Sequence, residues 1–228
     1  MYIQKLKVEN LRGIGSGDRS IDLKLVRPDK SYAGFTVLAG PNGSGKTTLL
    51  QAIALTLAGP RALRTALCDT STWKRQTAKH KEASVVLWLE RDPLCDPQQG
   101  KGAPSKAALE IGLVWPPTES SVLPYLFLNE KQGARGPWSQ KDGWFLAGYG
   151  PFRRLSGHST DAASVMAPGA AAPELATLFR EDASLAEGVQ MLRGVYLRRL
   201  ENKPGAAELE KGMIALLNDG LLPGGLQV

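Results

Sequence analysis

Gly40-Pro41-Asn42-Gly43-Ser44-Gly45-Lys46-Thr47 satisfies the spacing G-x-x-x-x-G-K-[ST] at every fixed position, and no other feature narrows the fold of this 228-residue chain as far. Glycine admits backbone angles that a Cβ forbids, so the segment can wrap closely round a pyrophosphate. Successive N–H groups then point inward, at the positive end of the helix that follows. In such a loop Lys46 reaches the β- and γ-phosphates as a point charge. The Thr47 hydroxyl is placed to ligate Mg²⁺, and Thr48 to donate to the α-phosphate. The expected ligands are therefore ATP and Mg²⁺, held by Gly40, Pro41, Asn42, Gly43, Ser44, Gly45, Lys46, Thr47 and Thr48.

The flanks match the motif. Phe35-Thr36-Val37-Leu38-Ala39 is continuously apolar enough for a central strand covered on both faces, and it runs directly into the loop. Leu49 to Ala58 leaves it as a helix with Leu49, Ile53 and Leu57 at helical spacing, and Gly59-Pro60 is expected to end that helix. A glycine-rich turn with a chance lysine would lack both partners.

Charge adds a second constraint. Net charge is +6, but residues 1–80 hold 13 Lys/Arg against 5 Asp/Glu, a balance of +8, and the remainder is at −2. A basic first third suits a polyanion, nucleotide or nucleic acid, without naming either. Residues 61–81 concentrate Arg61, Arg64, Lys74, Arg75, Lys79 and Lys81 around Trp73 and His80. Such a segment can grip phosphates and stack a base, or be a solvated face. Cys68 and Cys95 are too few for a disulfide framework or a zinc site, and His80 and His158 have no acid or cysteine at ligand spacing. No apolar run reaches the ~18 residues of a membrane span, and MYIQKLKVEN lacks the apolar core of a signal peptide, which sets the expectation of a cytoplasmic protein.

Four segments differ in texture. Residues 1–60 form the core that carries the loop, with strands expected at Tyr2–Val8 and Ile21–Val26. Residues 61–157 read as a β-rich subdomain, with strands at Ser84–Leu89, Ala108–Trp115 and Trp144–Tyr149. Residues 158–172 read as an Ala/Ser/Gly-rich mobile loop. Residues 173–228 read as three helices: Pro173 opens the first, Ser184 and Glu187 have capping-box spacing, and Leu185, Val189, Leu192, Tyr196 and Leu200 make one apolar stripe. Leu209, Met213, Leu216 and Leu217 line the last helix. Gly224–Val228 reads as a strand just beginning, as if the fold continued past it. The fold class is α/β: a P-loop core sheet, an antiparallel β-subdomain and a carboxyl-terminal three-helix segment.

A short strand, then Glu9-Asn10-Leu11-Arg12-Gly13-Ile14, a second strand, and Val37 to Ile53 resemble the amino-terminal lobe of ABC-type ATPases of the SMC/Rad50/RecF class. Gly148-Tyr149-Gly150-Pro151-Phe152-Arg153-Arg154 and Leu178 to Leu185 resemble small bacterial ATP-binding proteins without the long coiled coil, several linked to DNA repair or phage defence. The resemblance implies ATP-driven head-to-head dimerisation. It implies as partners a carboxyl-terminal ATPase lobe or second subunit, DNA, or an effector protein. It also brings Arg12 near the nucleotide, the rival reading being an ordinary surface arginine.

That class further requires a Walker B strand ending in Asp-Glu and a signature loop, and the sequence contains only imitations. Leu155-Ser156-Gly157-His158-Ser159 is followed by the Ala/Pro loop and reads as a turn. Val85–Glu90 has Leu where Asp belongs, and Leu126-Phe127-Leu128-Asn129-Glu130 has Asn there, so both read as sheet. Gln132 and Gln140 have no supporting strand for a Q-loop. Hydrolysis by this chain alone is therefore expected to be very slow. A nucleotide-sensing module that never hydrolyses is the alternative, and a P-loop kinase with Arg153 and Arg154 as lid arginines a lesser one.

Overall fold

The computed structural model describes residues 1–63, 69–78, 80–92, 108–117, 124–128, 138, 146–151, 165, 172–183 and 186–219. Strands β1 (Tyr2–Glu9), β2 (Ile21–Lys24), β3 (Ala83–Glu90), β4 (Leu109–Trp115) and β5 (Tyr125–Leu128) form one sheet in the order β2-β1-β3-β4-β5. Every pairing in it is antiparallel. The sheet takes strands from both sides of residue 60, so the amino-terminal core and the β-rich segment share one ladder.

Alternation in the sequence becomes two faces in the sheet. Leu6 and Val8 of β1, Val85, Leu87 and Leu89 of β3, and Ile111 and Leu113 of β4 are buried on one side. Residues between them face the other side, where Lys5 pairs with Asp22 at 3.0 Å and lies 5.0 Å from the Trp88 ring centroid. Helix α1 (Lys46–Ala58) covers the apolar face through Leu49, Ala52 and Leu55. Its outer side packs, through Ala54, on Ala62 of the short helix α2 (Pro60–Leu63) and on Leu175 and Ala176. Ala176 opens helix α3 (Ala176–Phe179), which follows a 3-10 turn with Pro173 as its first residue, as expected. Sheet, α1 and the Pro173–Phe179 segment thus form three layers, tied by the Gln51 side-chain amide donating to the Leu178 carbonyl at 2.9 Å. Gly148-Tyr149-Gly150 runs beside α3, where Gly148 N–H donates to the Glu174 carbonyl at 3.0 Å. A Cβ on Gly150 would run into the Thr177 carbonyl oxygen.

Three expectations need correction. Phe35–Ala39 is not a strand: it has no ladder partner among the described residues, and Phe35 is 83% and Val37 71% exposed. Apolar composition marks a segment for burial, but only a neighbouring strand can complete its backbone hydrogen bonds. In Trp144–Tyr149, residues 144 and 145 lie outside the described residues, and 146–149 make no ladder. Helix α1 ends at Ala58 with Gly59 as its cap, as expected, and Pro60 opens α2, because proline is at home in a first helical turn. The described part of the stripe on helix α4 (Ala186–Leu200) faces outward, with Leu192 40%, Tyr196 48% and Leu200 55% exposed, while Val195 is buried. Helix α4 pairs with α5 (Ala206–Asn218). Leu209 and Leu216 of α5 are exposed as well. Ser184, Leu185, most of the 158–172 loop and Gly220–Val228 lie outside the described residues.

Among the described residues no helix is long and apolar enough to cross a membrane. Gly150→Ala is expected to lower unfolding free energy by about 1–3 kcal/mol through overpacking against α3, read by chemical denaturation. An unchanged midpoint would show that the close approach is not maintained in solution.

Candidate functional site

Gly45, with φ 90°, is the N-cap of α1, and Gly43 sits at φ 81°. Both angles lie in the left-handed region that a side chain resists, so the two glycines make the sharp entry into the helix. No side chain caps α1. The Leu49 N–H donates back to the Gly45 carbonyl at 2.8 Å, which leaves the N–H groups of Lys46, Thr47 and Thr48 as the first-turn donors a helix cannot satisfy internally. The loop is tight: a Cβ on Gly40 would come within 2.9 Å of Ser44 Oγ. Lys46 Nζ donates to the carbonyls of Gly40 and Pro41, each at 2.8 Å, so the ammonium is held by the loop itself. Thr47 is exposed and Thr48 buried. An uncapped helix end, two left-handed glycines and a lysine form a donor set of the right sign and spacing for a triphosphate.

The segment Asn10–Ile14 packs against this loop. Asn10 and Arg12 are non-glycine residues at φ 54° and 47°, a conformation that persists only when surroundings fix it. Here they do: Asn10 N–H donates to Gly15 O at 2.9 Å, Asn10 Nδ2 to Glu82 O at 2.8 Å, and Arg12 N–H to Trp73 O at 2.7 Å. Gly13 approaches the Gly43 carbonyl, and Ile14 lies under Gly45. The Arg12 guanidinium stacks over Trp73, 4.5 Å from the ring centroid, and its NH1 lies 3.4 Å from Thr48 Oγ1. The structure therefore brings Arg12 to the first turn of α1. Trp73 is the residue the sequence reading missed in this role. It is 1% exposed and stacks with Trp115 and Phe179, so it is a floor for Arg12 and not a platform for a base. No sequence signal joins positions 12 and 73; the fold does, through the Leu11–Lys74 bridge.

Other members of the basic segment separate. Lys74 Nζ donates to the Pro116 carbonyl at 2.8 Å, whereas Arg75 reaches Gly13 O at 2.7 Å and Thr77 Oγ1 at 2.8 Å. Arg64, Lys79, Asn129, Glu130, Gln132, Gln140, Arg153, Arg154 and the 155–159 signature imitation lie outside the described residues. The Val85–Glu90 imitation of Walker B lies in β3, between β1 and β4. Glu90 pairs with Tyr2 at the far end of β1 from Arg12. At about 3.4 Å per residue that is more than about 20 Å away. Its carboxylate accepts from the Tyr32 hydroxyl and from Gln4 Nε2, which hold it below the ordinary glutamate range.

Arg12→Gln is expected to lower stability by about 0.5–1 kcal/mol through loss of the contact over Trp73, measured by thermal and urea unfolding. Identical curves would show that the stacking contributes nothing.

Residues 5–87 match a family model described as AAA domain. No curated protein matches the chain. Among solved structures the chain is similar to the SmcHead in a crystal structure of that head bound to the C-winged helix domain of ScpA. That likeness has 21% identity and a TM-score of 0.38, and covers 57% of this chain and 36% of that one, so the chain spans little more than a third of the solved protein. The family match contains both the Asn10–Ile14 turn and Gly40–Thr47. The part of the chain that resembles a P-loop ATPase in sequence is thus the part that the AAA-domain model matches.

Proposed function

We propose that this chain is the ATP-binding lobe of an SMC/RecF-like ATPase, in which bound ATP draws two heads together and nucleic acid is the partner on which the cycle acts. The observation that carries the reading is the loop: left-handed Gly43 and Gly45 open an uncapped α1 beside Lys46. Lys46 and the first-turn N–H groups bind the β- and γ-phosphates, exchanging the contacts of Lys46 with Gly40 and Pro41 for charge-assisted ones. The Thr47 hydroxyl would hold Mg²⁺, which would supply positive charge beside the phosphates. Thr48 takes the α-phosphate, and Arg12 adds positive charge beside it. Mg²⁺-ATP supplies the phosphoanhydride whose cleavage would release the heads.

A carboxyl-terminal lobe or second subunit completes the site in this reading. Support comes from Phe35–Ala39, which enters the loop with Phe35 and Val37 exposed. Beside it lies an apolar cavity of about 320 Å³ lined by residues including Leu23, Leu25, Leu38, Leu49 and Ile53. An apolar segment with no ladder partner among the described residues is a template for an added strand. DNA repair or phage defence is the biological setting that the sequence resemblance favours, in the cytoplasm. One observation favours the second reading, a nucleotide sensor that controls an effector without hydrolysis. Glu90, the acid that best imitates Walker B among the described residues, is engaged by Tyr32 and Gln4 far from the loop. Transfer of labelled phosphate to a small acceptor would instead favour the kinase.

Titration with a fluorescent ATP analogue and Mg²⁺ is expected to show saturable binding that Lys46→Ala weakens at least about tenfold, the loss of one charge-assisted phosphate contact. Equal affinity in the variant would remove the loop from the account. Phosphate release by the chain alone is expected to stay near background and to rise when the complementing carboxyl-terminal lobe is supplied. Fast turnover by the isolated chain, lost in Lys46→Ala, would contradict the incomplete site. Binding with no gain from that lobe would favour the sensor.

A further inference from the structure

The Asn10–Ile14 turn has two sides, and only one faces the phosphate loop. On the other, the turn joins the Ser16–Arg19 bend and the Arg75–Lys81 segment round a polar cavity of about 260 Å³. Arg19, Arg75 and Lys81 bring three cations to it, Ser16 and Thr77 bring hydroxyls, and Asn10 forms part of the wall. No acidic side chain is among the described lining residues, and none of the lining belongs to Gly40–Thr48.

We propose that this cavity is a second phosphate site, separate from the ATP loop, which takes a backbone phosphodiester of nucleic acid. The inference deepens the functional reading above and rests on its assignment of nucleic acid as the partner. Three cations sharing one cavity repel one another, and a bound anion turns that repulsion into attraction. Arg75 is set in place before any ligand arrives. Its backbone N–H donates to Asn10 O at 2.8 Å, NH1 to Gly13 O at 2.7 Å and Nε to Thr77 Oγ1 at 2.8 Å. A fixed guanidinium loses little freedom on meeting a phosphate, and its planar fork matches phosphate oxygens. Arg19 and Lys81 are exposed, so the cavity is reachable by a polymer and not only by a small ion. Its polar lining offers no apolar wall for a base, which fits contact with the backbone and not readout of sequence. The surrounding first eighty residues carry a balance of +8, which draws a polyanion to this part of the molecule. Because Arg75 also holds the Gly13 carbonyl, the cavity shares a residue with the turn that positions Arg12 beside α1.

The test is fluorescence anisotropy of a labelled double-stranded oligonucleotide with the full chain across a salt series, beside titration of a fluorescent ATP analogue. The double variant Arg19→Gln with Lys81→Gln changes two exposed side chains and leaves Arg75 and its hold on Gly13 in place. It is expected to weaken oligonucleotide binding about tenfold at low salt and to reduce the salt slope by about 2, with unaltered circular dichroism and unaltered affinity for the ATP analogue. Tight oligonucleotide binding that the double variant leaves intact would overturn the cavity while the nucleic-acid reading survives. No oligonucleotide binding by the wild-type chain, with ATP present, would overturn both. An equal loss of ATP-analogue affinity would make the cavity part of the nucleotide site. Broadening of the inorganic phosphate ³¹P signal that the double variant abolishes, in a chain that ignores the oligonucleotide, would assign a free anion instead.

Discussion

An α-helix that begins without a side-chain cap leaves its first amide hydrogens to whatever the preceding loop can enclose. In this protein that constraint governs the site. Gly43 and Gly45 turn the chain through left-handed angles into α1, and the same loop holds the Lys46 ammonium through the Gly40 and Pro41 carbonyls. Removing the glycine angles would swing the donors apart. Capping the helix with a side chain would fill the space a phosphate needs.

The remainder of the fold holds that loop still. The antiparallel sheet and the Pro173–Phe179 segment clamp α1 from two sides through Leu49, Ala52 and Leu55 on one and Ala54 on the other. The turn after β1 then reaches over the loop, pinned by Asn10 to Gly15 and Glu82 and by Arg12 to Trp73. Two strained non-glycine residues in one short turn are stable only under such bracing. The turn lies between the phosphate loop and the Arg19–Arg75–Lys81 cavity, and Arg75 joins the cavity to it through the Gly13 carbonyl.

What could be read in the sequence follows from which forces are local. The four strands at Tyr2–Glu9, Ile21–Lys24, Ala83–Glu90 and Leu109–Trp115 were legible because alternation encodes one buried face without reference to partners. The loop was legible because its residue types answer a fixed chemical need. Phe35–Ala39 was not, since composition reports a wish for burial and a ladder needs a neighbour. The α4 stripe failed for the same reason: Leu192, Tyr196 and Leu200 recur at helical spacing, yet spacing does not say which side a partner will occupy. Trp73 under Arg12 was invisible because sixty residues separate the pair, and only the closure of the sheet joins them. The basic segment divided once folded, with Lys74 committed to Pro116 and Arg75 to Gly13, a distinction that charge counting cannot make.

The phosphate loop would act through particular amide hydrogens, and hydrogen exchange reads those atoms themselves. Backbone hydrogen exchange should be followed residue by residue, with and without Mg²⁺-ATP. Nucleotide is expected to slow exchange at Gly43 to Thr48 and at the Asn10–Ile14 turn, with little change in β3 or β4. Unchanged exchange across the loop at saturating nucleotide, or protection confined to another part of the molecule, would contradict it.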